Sequence, residues 1–135
     1  MAEHILWVSR HRPLPAQVDF LRRRLGEVKI SELIGYVPTA EYVIEKAEDF
    51  GCRFILPVLP LSVIARICEL AERRGITVLY AEMREVYSGN EREAYRLLME
   101  APDKRTVVQH SDAWRVFEFV SIKRIKGVRL ELEDF

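Results

Sequence analysis

The chain predicts an α/β fold. It should form a three-layer arrangement in which a mostly parallel sheet of about five strands carries helices on both faces and ends in an antiparallel β-hairpin. Three observations lead there. Short apolar runs alternate with segments of helical period up to residue 101. Gly26, Gly51 and Gly75 stand where successive helices should stop. After residue 101 the pattern turns to period two, the signature of strands with one covered face. Alternating strands and helices imply right-handed βαβ units, hence a Rossmann-like core over 1–101 in strand order 2-1-3-4. A β-rich extension over 102–135 adds to it, within a single domain spanning 1–135.

Ile5-Leu6-Trp7-Val8 reads as a buried first strand that opens into Ser9-Arg10-His11-Arg12. Pro15 suits a first helical turn, and Leu14, Val18, Leu21 and Leu25 recur at helical spacing. Val28 to Ile34 alternates as a second strand, and Gly35-Tyr36-Val37-Pro38 is a loop. Thr39 is placed to cap a helix whose apolar face is Ala40, Val43, Ile44, Ala47 and Phe50. Phe54 to Leu59 is the most continuously apolar run, and Pro57 within it marks the end of regular pairing. Ser62 is read as the cap of the next helix, with Val63, Ile64, Ile67, Leu70 and Ala71 on its face. Ile76 to Ala81 is the fourth strand, and Asn90 with Glu93 opens a short helix. Thr106-Val107-Val108 begins a fifth strand. Trp114–Ile122 and Val128–Leu132 are expected to form a hairpin through Lys126-Gly127.

Composition narrows the function. Lys plus Arg and Asp plus Glu number 21 each, so the formal net charge is zero. A globally basic nucleic-acid binder is therefore disfavoured, and any contact with nucleic acid would need a local patch. Cys52 and Cys68 are the only cysteines, lack metal-site spacing and read as buried thiols in a reducing compartment. No apolar stretch is long enough to span a bilayer and no signal-peptide core is evident, so the expectation is a cytoplasmic protein without a membrane partner. Asn90, Gln17 and Gln109 are the only side-chain amides, a thermophile-like composition.

In an open parallel sheet, ligands bind beyond the carboxyl ends of the strands where the order reverses. Order 2-1-3-4 puts that point between the first and third strands. Ser9, Arg10, His11 and Arg12 would then face the helix start at Ser62, whose free N–H groups attract anions. Arginine forks suit phosphate or carboxylate. His11 is the candidate general acid or base, since its ordinary pKa lies near neutrality. Against these stand plainer roles: surface ion pairs for Arg10 and Arg12, solvation for His11, capping for Ser62. No glycine-rich phosphate loop, nucleophile elbow or metal-ligand spacing appears, so no cofactor and no metal are expected. Glu82, Arg84 and Tyr87 are read as following the fourth strand, most simply as surface charge. His110-Ser111-Asp112 is turn chemistry between strands rather than a triad.

The opening strand with Ser9-Arg10-His11, a proline and a helix bearing Gln17 resembles a family of small uncharacterised prokaryotic proteins. Val116-Phe117-Glu118-Phe119-Val120 and the closing segment are similar to the same family. The resemblance implies no established activity. More loosely, the expected architecture resembles the Rossmann-like ligand-sensing domains associated with CRISPR systems, a likeness of fold alone.

The favoured reading is a binding module for a small anionic or nucleotide-like ligand, held by Ser9, Arg10, His11, Arg12 and Ser62. One alternative is a phosphoester hydrolase or nuclease using His11. Another is an interaction protein that forms a homodimer through the carboxyl-terminal hairpin.

Overall fold

The structure is a computed structural model and describes residues 2–135. The chain falls into two compact units. The first comprises residues up to Arg12, Glu27–Tyr80 and Lys123–Phe135; the second comprises Pro13–Gly26 and Ala81–Ile122.

In the first unit β1 (Glu3–Ser9) is central, and Ile5, Leu6, Trp7 and Val8 are all buried. A strand apolar at successive positions must be covered on both faces, which explains the unbroken run. β1 pairs in parallel with β2 (Val28–Ile34), from Glu3 opposite Val28 to Ser9 opposite Ile34. On its other side it pairs in parallel with β3 (Phe54–Pro57), which in turn pairs in parallel with the start of β4 (Thr77–Gly89). Leu6, Val8, Ile55 and Val78 present one face of this sheet to α2 (Ala40–Asp49) and α3 (Leu61–Glu72). Val43, Ile44 and Ala47 of α2 and Ile67 and Ala71 of α3 complete that core. The Thr39 hydroxyl accepts the Tyr42 N–H at 3.1 Å and caps α2, as its sequence position implies.

In the second unit α1 (Pro15–Leu25) begins with proline, and the Gln17 side-chain oxygen accepts the Leu14 N–H at 2.7 Å. Asn90 caps α4 (Glu91–Glu100) through the Glu93 N–H. β5 (Arg105–His110) and β6 (Ala113–Arg124) form an antiparallel hairpin. Phe20 of α1 meets Phe119 of β6 edge-on, with ring centroids 5.8 Å apart. The Glu118 carboxylate is buried on β6 and held by Arg84 at 2.7 Å, Arg105 at 3.0 Å and Lys104 at 3.5 Å. Those cations, Arg105 foremost, keep its pKa below the ordinary value against the opposing effect of burial.

Several expectations need correction. The sheet is mixed and has six strands, in the order β2-β1-β3-β4-β6-β5, rather than about five in a mostly parallel array. β4 runs on to Gly89, so Glu82, Arg84 and Tyr87 lie within a strand. Their polar alternation is satisfied by β6: Ser121 donates to Glu82, Arg84 binds Glu118, and Glu85 pairs with Arg115. The carboxyl-terminal hairpin is β5–β6, turning at Ser111-Asp112. Residues 128–132 adopt no regular structure and are exposed. No hairpin forms at Lys126-Gly127: the Ile125 N–H donates to the Val78 carbonyl of β4 at 2.9 Å, and among the described residues no strand follows Arg124 to pair back on β6.

Cys52 is buried, Cys68 half-buried, and neither is in a disulfide; burial pushes both thiols up. Among the described residues no helix is long and apolar enough to cross a membrane.

Candidate functional site

A cleft of about 600 Å³ opens at the carboxyl ends of β1, β2 and β3 in the first unit. Three loops line it: Ser9, Arg10 and His11 after β1; Gly35, Tyr36 and Val37 after β2; Val58, Leu59 and Pro60 after β3. Val63, in the first turn of α3, completes it. The topology explains the position. β2 and β3 flank β1 on opposite sides, so the chain leaves the sheet in opposite directions there and a crevice remains.

The β1 loop is held by its own hydrogen bonds. The Trp7 indole N–H donates to the His11 carbonyl at 3.1 Å, and the His11 N–H donates to the Ser9 hydroxyl at 3.2 Å. Gly35 N–H donates to the Ser9 carbonyl at 3.3 Å, tying the β2 loop to the β1 loop. Val58 N–H reaches the Val8 carbonyl at 2.7 Å, so the β3 loop is anchored too, in spite of the donor missing at Pro57. Ser9 is buried at the base, whereas Arg10 and His11 are exposed at the mouth.

Two expected members lie elsewhere. Arg12 is turned toward Glu32, with Nε 3.8 Å from the carboxylate, and does not line the cleft. Ser62 is exposed, does not line the cleft and is not the cap: Pro60 takes the cap position and its carbonyl accepts the Val63 and Ile64 N–H groups. Proline fits that position because its fixed φ suits the turn into a helix, so α3 starts one residue ahead of Ser62. No side chain caps α3, and its first N–H groups stay free for solvent or a ligand.

Tyr36 is the residue that sequence reasoning passed over as loop. Its side chain is 88% exposed at the cleft edge. An aromatic residue just beyond a strand's carboxyl end was the available signal, and it only acquires meaning once β2 is seen beside β1.

Chemically the cleft lining is mixed: Ser9, Arg10 and His11 are polar, and Tyr36, Val37, Val58, Leu59, Pro60 and Val63 are largely apolar. None of its ten lining residues is a carboxylate or thiol. Among the described residues no three His, Cys, Asp or Glu side chains converge as metal ligands. A second depression of about 570 Å³ lies between α3 and residues 124–128, lined in part by Cys68, Glu69, Glu72, Arg124 and Lys126. Its charges are of both signs and it lies off the strand carboxyl ends, so the first cleft is the stronger candidate. No protein-family model matches the chain, and no curated protein matches it closely enough to carry an assignment.

Proposed function

We propose that the cleft at the carboxyl ends of β1, β2 and β3 binds a small anionic, nucleotide-like ligand. The observation that carries this reading is one crevice, at the strand carboxyl ends, lined by both Arg10 and His11 and by no carboxylate. Arg10 supplies a planar cationic fork and His11 a hydrogen bond. Ser9 accepts the His11 N–H and holds the loop in shape, and its own hydroxyl hydrogen remains available to donate to the ligand. Phosphoester hydrolysis by His11 is the weaker reading, because no lining carboxylate, thiol or second imidazole accompanies it.

A thermal-shift series tests the proposal with AMP, GMP, CMP, UMP and inorganic phosphate. A ligand at one hundred times its Kd adds about 2.7 kcal/mol, enough to raise Tm by several degrees. The wild-type protein should show such a rise, smaller in Arg10→Ala and His11→Ala. A wild-type Tm unmoved by millimolar nucleotide would refute the reading.

A further inference from the structure

Resting on that reading, the apolar lining of the cleft narrows the class of ligand. A bare anion would leave Tyr36, Val37, Val58, Leu59 and Val63 without a role at the site. Tyr36 is 88% exposed, and among the described residues no hydrogen bond or ring contact engages it. Val58, which lines the same cleft, is 51% exposed, so apolar lining is open to an incoming ligand. The backbone that carries the tyrosine is nonetheless fixed. Gly35 before it has φ of +104°, a backbone state that L side chains rarely adopt, and its N–H is tied to the Ser9 carbonyl. The loop that presents the ring is thus bonded to the loop that presents the cation.

We infer that the cleft recognises a nucleoside phosphate, with the base stacked on Tyr36 among the apolar lining residues and the phosphate at Arg10 and His11. A volume of about 600 Å³ suits one nucleotide. An aromatic face accepts any base, so the site should discriminate the presence of a base more than its identity.

Isothermal titration with AMP, UMP, adenosine, ribose 5-phosphate and inorganic phosphate tests this in the wild type, Tyr36→Ala, Tyr36→Phe and Arg10→Ala. Stacking at one base should make AMP bind at least about five-fold more tightly than ribose 5-phosphate. Tyr36→Ala should erase that advantage without changing the affinity for ribose 5-phosphate, and Tyr36→Phe should keep it. Equal affinity for AMP and ribose 5-phosphate, or an advantage that survives Tyr36→Ala, would overturn the stacking inference and leave the anion site standing. Adenosine binding as tightly as AMP, with Arg10→Ala silent, would overturn the nucleoside phosphate class. Absence of binding by all five would overturn both proposals. Because Tyr36 is exposed, its variants should fold normally.

Discussion

The Ser9 hydroxyl and the Arg10 guanidinium sit side by side in the chain but do different work. Ser9 is buried and accepts the His11 N–H, whereas Arg10 is exposed and, among the described residues, has no ion-pair partner. Ser9→Ala should therefore lower stability by about 1 kcal/mol in urea unfolding, the worth of one hydrogen bond. Arg10→Ala should leave stability within about 0.5 kcal/mol and act only on ligand affinity. Glu118 makes the opposite case, a buried carboxylate whose role is structural. Replacing it with glutamine removes the charge that Arg105, Arg84 and Lys104 share and should cost about 1.5–3 kcal/mol, the worth of a hydrogen bond to a charged group. Its pKa is lowered in the folded protein, so the unfolded chain binds the proton more tightly. The stabilisation is complete above the ordinary carboxylate value of 4.5 and drains away as pH falls through the depressed folded value. Urea unfolding of the wild type between pH 7 and pH 3 should show that loss, and Glu118→Gln should flatten it.

At the scale of elements, the parts legible in the sequence are those where one local signal decides. β1 follows from four consecutive apolar residues, α2 from the Thr39 cap, α4 from Asn90, and the β5–β6 turn from Ser111-Asp112. The illegible parts depend on a distant partner. Ala81–Gly89 belongs to β4 because β6 supplies its cross-strand partners, which nothing within the segment announces. Val128–Leu132 alternates like a strand yet is unpaired, since periodicity records the fitness of a segment for a sheet and not the presence of a neighbour. Ser111 carries φ of +56°, the only positive value at a non-glycine residue among those described. Such a backbone costs an L residue about 1 kcal/mol, so Ser111→Gly should raise stability by about 0.5–1 kcal/mol in the same unfolding assay. A decrease would show that the Ser111 hydroxyl contributes more than the strain it sits in.

At the scale of the molecule, order 2-1-3-4 could be anticipated for the parallel strands, because alternation of strand and helix restricts the topology. The continuation through β6 before β5 could not, because it depends on which edge the late strands find. The candidate site was legible to the same degree. Ser9, Arg10 and His11 reach the cleft because β1 ends there, whereas Arg12 lies beside Glu32 and α3 begins at Leu61, ahead of Ser62, neither of which any spacing encodes. Tyr36 enters only through the neighbouring strand. The whole cleft belongs to the first unit, so its contacts with ligand should report there and nowhere else. A titration of the isotopically labelled protein with AMP, followed by amide chemical shifts, addresses this most directly. The account predicts saturable shifts concentrated at 9–11, 35–37 and 58–63. Shifts centred on the second unit, or none at millimolar AMP, would contradict it.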